Sequence, residues 1–308
     1  MRFNIISNLE NGAGLQKDCR IVQRELEKRG HLVHGVQFND PRQVPWADVN
    51  IFVEVVVPHL FSKAGEQWLI PNPEWWFPHH TESLSAISRV LCKTKDCFRL
   101  MQSLAPERVG YIGFMSHDLD RPDVKKLPQF LHVAGKSIVK NTEAILTAWR
   151  TLNYPLTIVT SLNAIKQRVV AEQDVLKTVT VHQSVPENEF VTLMNEHQFH
   201  LCPSKYEGFG HYLHEGMSVG AVIITTDAPP MNEFGLPSEL LVPPKTSYQL
   251  RMAQLHDVYP EEILEKVQFV AGAPLSAVEH WSRCSRQLFE RECEDFRHNL
   301  SCVLNSYA

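Results

Sequence analysis

The chain has 308 residues, 44% hydrophobic and 21% charged, with a net charge of -5, a length that accommodates two domains of about 150 residues. A mildly acidic balance with no Lys/Arg-rich run gives nucleic-acid binding no electrostatic support. No stretch nears the ~20 apolar residues of a membrane span, and seven cysteines without a C-x-x-C pair argue against a disulfide framework or a zinc knuckle. The opening Met1-Arg2-Phe3-Asn4-Ile5-Ile6-Ser7 reads as a strand rather than a secretory signal, so a cytoplasmic, reducing compartment is expected.

Short apolar runs alternate with helical periodicity, the signature of parallel α/β sheets. Residues 2–7 predict a first strand, and Asn8 to Gly14 a glycine-containing turn. Leu15, Cys19, Val22 and Leu26 recur at spacings of four, three and four, one face of a helix that Gly30 ends. Leu32 to Val36 reads as a second strand. Val49 to Val57 reads as a third, buried on both faces and interrupted by Glu54. A strand at 66–71 leads into an aromatic-rich loop broken by Pro71, Pro73 and Pro78, and short helix–strand units continue to about Ile112. Ser116 to Gln129, polar and with two prolines and three aspartates, predicts a linker.

The pattern then restarts. Phe130 to Ala134 predicts a strand, Gly135 a turn and Asn141 an N-cap, before a helical stripe of Ala144, Ile145, Ala148, Trp149 and Leu152. Strands at 156–160, 178–182, 199–202 and 221–226 alternate with helices near 163–172, 187–195 and 210–219. The last sixty residues read as helical, ending in a long segment from about 276 to 306. Cys284, Cys293 and Cys302 stand nine apart, two and a half helical turns, so successive members face opposite sides and read as helix residues rather than ligands. No internal repeat is visible.

Two stretches carry chemistry. Residues 204–215 read Ser-Lys-Tyr-Glu-Gly-Phe-Gly-His-Tyr-Leu-His-Glu, between the apolar runs Phe199–Cys202 and Ala221–Thr226. A helix opening at the Gly-Phe-Gly turn points backbone N–H groups and its dipole toward an anion. Glu207 falls in that turn and Glu215 about one turn into the helix. Two acceptor-only carboxylates beside a phosphate cradle suit a ligand that is part diphosphate and part polyhydroxyl, such as a nucleotide-sugar. The plain alternative is an ordinary helix start with two solvated charges. The second stretch, His132-Val133-Ala134-Gly135-Lys136-Ser137-Ile138-Val139-Lys140-Asn141, sets two lysines after a strand. Preorganised cations there stabilise the charge that builds on a leaving diphosphate. The helix dipole disfavours a cation at the position of Lys140, which favours a functional reason for it. His211 and His214 read as helix-face packing, with no third metal ligand apparent.

These segments resemble the retaining nucleotide-sugar glycosyltransferases of the glycosyl transferases group 1 family, with Glu207 and Glu215 matching its Glu-x7-Glu motif. The resemblance implies an α/β fold of GT-B type: two Rossmann-like domains facing across a cleft, with a C-terminal helix crossing back to the N-terminal domain. Laid on this chain, it gives an acceptor-side domain at 1–120, a donor nucleotide-sugar domain at 121–285 and the returning helix at 286–308. It places Glu215 on the ribose hydroxyls and Glu207 on a donor-sugar hydroxyl. The amides of Phe209 and Gly210 face the phosphate or sugar, Lys136 and Lys140 hold the diphosphate beside Gly135 and Ser137, and the Gly12–Gly14 loop approaches the donor. Two departures stand out: the gap between the lysines is one residue shorter than usual, and Asn141 replaces a glycine.

The implied activity is metal-independent transfer, with retention, from a nucleotide-sugar to a hydroxyl acceptor. A UDP-sugar is the favoured donor, as co-substrate and without any cofactor. Acceptor-side candidates are His59, after Val55-Val56-Val57-Pro58, and Glu74 and Trp75 in the loop 71–80. Adjacent tryptophans are costly to expose and stack well on sugars, although they would equally plug a domain interface. Lys93 to Asp96 and Met115 to Asp118 would also face the cleft, and Glu233 reads equally as cap or ligand. Glycan, lipid-linked sugar, protein and modified nucleic-acid base all stay open as acceptor. Two other uses of the same scaffold compete: a sugar-nucleotide hydrolase or epimerase, and a catalytically silent sugar-nucleotide-binding protein.

Overall fold

A computed structural model describes residues 1–10, 14–40 and 44–307. The chain forms two compact units. The first is Met1–Ser116 with Leu250–Ala253 and the residues from Glu292 on; the second is His117–Gln249 with Gln254–Arg291. The first division thus comes four residues before the expected 120, and the last falls inside the final helix, at 291/292 instead of 285/286.

The first unit is a six-stranded parallel sheet in the order β2-β1-β3-β4-β5-β6. Its strands are β1 (Arg2–Ser7), β2 (Leu32–Gln37), β3 (Ala47–Val53), β4 (Ala64–Ile70), β5 (Arg89–Cys92) and β6 (Val109–Tyr111). Helix α1 (Gly14–Glu27) buries the predicted stripe Leu15, Cys19, Val22 and Leu26, which covers the sheet as apolar burial requires. Gly30 takes φ +79° after it, and the N–H of His31 donates to Leu26 O at 3.2 Å. Only glycine adopts that turn without a Cβ penalty. Helices α2 (Pro78–Ser83) and α3 (Lys95–Gln102) complete the unit. The expected strand at 49–57 stops at Val53, because Glu54 adopts φ +70° and turns the chain. From Glu292 on, the last helix joins this unit: Phe296 packs on Phe114 with ring centroids 4.9 Å apart, and Arg29 donates to Arg297 O at 3.0 Å.

The second unit repeats the plan with β7 (Leu127–Gly135), β8 (Leu156–Thr160), β9 (Val179–His182), β10 (His197–Cys202), β11 (Val222–Thr226) and β12 (Leu241–Val242), in the order β12-β11-β10-β7-β8-β9. All neighbours are parallel. Helices α4 (Thr142–Trp149), α5 (Asn163–Ala171), α6 (Glu187–Glu196), α7 (His211–Ser218), α8 (Pro260–Ala271) and α9 (Leu275–Asn305) follow the expected alternation. Phe130, Trp149, Phe199, Val222, Ile224 and Val267 anchor one continuous core. Strands β13 (Pro244–Leu250) and β14 (Ala253–Val258) form a separate two-stranded sheet, so the last sixty residues are not all helical as expected: β14 stands where the sequence reads helix. Every residue of β13 is exposed, so no apolar alternation marks it.

Candidate functional site

Strand order in the second unit reverses between β7 and β10. In open α/β sheets such a reversal opens a crevice at the carboxyl ends of the strands, where ligands bind. Two loops meet there: 136–141, between β7 and α4, and 203–210, between β10 and α7. They are sewn together by backbone and amide hydrogen bonds. The N–H of Lys205 donates to Val139 O at 2.8 Å, and Asn141 Nδ2 donates to Pro203 O at 2.8 Å and His256 O at 3.2 Å. Asn141 does occupy the N-cap of α4, but with φ +53° and no side-chain cap bond. Its left-handed backbone turns the amide away from the helix, so it ties loops together instead of capping.

Beneath the loops His132 is fully buried, with Nδ1 2.7 Å from Leu201 O and Nε2 2.9 Å from Thr142 Oγ1. A carbonyl accepts only, so Nδ1 carries the proton and Nε2 accepts from the threonine hydroxyl. Burial pushes this imidazole down to about 4, and it is neutral at pH 7.

The predicted residues gather at this place. Lys140 and Ser204 both donate to Glu207 Oε1, the ammonium as an ion pair and the hydroxyl at 2.5 Å. Both side chains of the ion pair are largely buried, 14% and 15% exposed, so the contact is held away from solvent screening. Lys140 therefore already has an acidic partner. Lys136 is exposed and, among the described residues, makes no hydrogen bond or ion pair. Gly135 takes φ +56°, and its carbonyl accepts from Thr160 Oγ1 and the N–H of Ser161, each at 2.9 Å. The N–H of Ser137 donates to Ala134 O at 3.0 Å.

Gly210 is the N-cap of α7 at φ +101°, and Glu215 is buried on that helix. Helix α7 lies hard against the sheet. A Cβ at Gly216 would stand 2.7 Å from Ile223 Cδ1 and 2.8 Å from His200 Nδ1. Phe209 packs edge-on against Phe234 and tilted against His214. His214 also meets the Phe289 ring, 4.7 Å between centroids, and burial lowers it to about 3. Its surroundings are those of a packed ring. Among the described residues no group of three or more His, Cys, Asp or Glu is placed to hold a metal ion.

The acceptor-side candidates belong to the first unit. His59 is exposed in a 3-10 turn, Pro58–Lys63. Glu74 lies in another, Pro73–Trp75, and its carbonyl accepts from Arg251 Nη1 at 2.5 Å. Trp75 is half exposed, with the Arg251 guanidinium 4.9 Å from its centroid and 4.4 Å from that of Phe77. Trp76 is buried and donates to Thr81 Oγ1 at 2.9 Å. With Phe77, Pro78, Thr81, Glu82, Arg251 and Met252 it lines an open cavity of about 690 Å³. Lys93 is buried and paired with Asp18 at 2.6 Å. Gly12 lies outside the described residues, while Gly14 opens α1.

Residues 118–258, which include both loops, match the model of the family described as glycosyl transferases group 1. That segment is a group 1 glycosyl transferase domain. A 64-residue part of the chain is 34% identical to GDP-mannose:cellobiosyl-diphosphopolyprenol alpha-mannosyltransferase of Xanthomonas campestris. The alignment covers 21% of this chain and 17% of that protein, so it spans under a fifth of the relative. Among solved structures, sucrose-phosphate synthase from Thermosynechococcus elongatus superposes with a TM-score of 0.77 at 12% identity, covering 100% of this chain and 99% of that one. The pneumococcal O-GlcNAc transferase GtfA, solved with UDP and GlcNAc, gives 0.57 at 13% identity, over 82% of this chain and 57% of that one. Two parallel-sheet α/β units with these neighbours make the fold GT-B.

Proposed function

We propose that the chain is a glycosyltransferase that moves a sugar from a nucleoside diphosphate sugar to a hydroxyl acceptor, with retention of configuration. The observation that carries this reading is the Lys140–Glu207–Ser204 cluster beside the uncommitted Lys136, at the sheet reversal of a group 1 domain. Lys136 and the Gly135–Ser137 turn take the diphosphate. Lys140 orients Glu207 toward the donor sugar and adds positive charge nearby, and Glu215 receives the ribose hydroxyls. As the bond from the anomeric carbon to phosphate oxygen breaks, a bond to the acceptor oxygen forms on the same face. The acceptor proton passes to the leaving phosphate oxygen. Fixed cations and amides favour the charge on that phosphate in the transition state and need no rearrangement to do so.

A UDP-sugar is the first donor to test, supported by the UDP bound to one structural neighbour; the mannosyltransferase relative, named for GDP-mannose, makes that the second. Isothermal titration with UDP-glucose, UDP-N-acetylglucosamine and GDP-mannose, paired with a nucleotide-release assay, tests the reading. One donor binds the wild type. Glu215→Ala weakens that binding about tenfold or more, the scale of about 1.4 kcal/mol of lost hydrogen bonding. Glu207→Ala changes affinity little and lowers turnover about a hundredfold. Binding without release for any acceptor indicates a silent binder, and release without an acceptor a hydrolase. Wild-type turnover in both variants contradicts the assigned roles.

A further inference from the structure

We propose that Glu54 holds the hydroxyl of a neutral sugar acceptor at the strand-order reversal of the first unit. This rests on the transferase reading for the word acceptor, but its geometry is independent of the donor site. The order β2-β1-β3-β4-β5-β6 reverses between β1 and β3, and Glu54 is the first residue beyond the carboxyl end of β3. It is the counterpart in this sheet of the position where the second unit gathers its loops.

Three features mark the residue. Its φ of +70° belongs to the left-handed region, where a glutamate is strained and a glycine is not. Strained residues of this kind concentrate at ligand sites. Its side chain is held: Oε2 accepts from Asn72 Nδ2 at 2.6 Å, and Asn72, just beyond β4, is only 8% exposed. Its Oε1 has no hydrogen-bond partner among the described residues, and the residue is half-buried, not enclosed.

The surroundings select the ligand. Asp18 and Lys93, both buried, pair with each other at 2.6 Å, and among the described residues Glu54 has no ion-pair partner of its own. The ammonium of Lys93 lies close enough to act on the Glu54 carboxyl and would oppose a second cation there. Burial raises this carboxyl above the ordinary carboxylate range, which reduces any preference for cations further. A neutral hydroxyl donor satisfies Oε1 at no charge cost. Sugar hydroxyls are that chemistry.

Saturation-transfer NMR on the full chain without nucleotide tests the proposal. The probes are methyl α-D-mannopyranoside, methyl β-D-glucopyranoside and methyl β-D-galactopyranoside. Wild type is expected to bind at least one of them, and Glu54→Gln to weaken that binding about tenfold or more. Glu54→Gly relieves the left-handed strain, so it should lose the binding while its Tm stays equal or rises. Nucleotide affinity, measured in parallel, should be unchanged in both variants. Failure of every form to bind nucleotide would count against the donor reading alone. Three results would overturn the present proposal: no glycoside binding by wild type, wild-type binding in both variants, or a fall in Tm for Glu54→Gly that matches a purely structural role.

Discussion

At Gly216 the backbone of α7 lies so close to the sheet that a side chain there would force a neighbour to shift. A methyl group there would meet Ile223 Cδ1 at 2.7 Å and the His200 ring at 2.8 Å. Gly216→Ala is therefore expected to cost about 1–3 kcal/mol through overpacking, seen as a lower urea midpoint at unchanged slope. An unaltered midpoint would show that the helix can lift from the sheet freely. Individual residues were legible to different degrees. The placement of Glu207 in a turn and of Glu215 on the helix after it could be read because a Gly-Phe-Gly turn and a helix start are local signals. The partnership of Glu207 with Lys140 could not, because the two are 67 positions apart and meet only through the parallel pairing of β7 and β10. Asp18 was invisible for a similar reason: it lies within a helix, and its partner Lys93 is 75 residues away.

Among the elements, those with a buried face followed the sequence closely. Helix α1 and strands β1, β8 and β11 begin and end within a residue or two of where periodicity places them. Periodicity missed the small two-stranded sheet, both β13 and the partly buried β14. Strand β13 is exposed throughout and carries no alternating pattern. Strand β3 shows the reverse failure. Val55, Val56 and Val57 prolong its apolar run, yet the backbone turns at Glu54, and hydrophobicity carries no information about φ. The aromatic loop was half legible: its residues divide between a buried Trp76 and the pair Trp75 and Phe77 that flank Arg251. Sequence composition alone does not assign such roles.

For the molecule as a whole, the buried neutral imidazoles set a pH dependence of stability. Burial lowers His132 to about 4 and His214 to about 3, against an ordinary value of 6.5. Between those values the unfolded chain binds protons that the folded chain refuses, so stability is complete above pH 6.5 and falls as pH drops toward 4. By pH 5 each group costs about 2 kcal/mol. Among the described residues, the raised carboxyl of Glu54 opposes this trend. The urea midpoint is thus expected to be clearly lower at pH 5 than at pH 7, and the gap to narrow in His214→Phe, whose ring joins Phe209, Phe234 and Phe289. A midpoint that holds or rises at pH 5 would contradict the account.

The nucleotide site is proposed to be built on the second sheet. Its most direct test is a crystal structure of the chain grown with saturating UDP. The account predicts the diphosphate against Lys136 and the Gly135–Ser137 turn, with the ribose hydroxyls within hydrogen-bond reach of Glu215. Nucleotide bound elsewhere, or a turn left empty with both UDP and GDP, would contradict it.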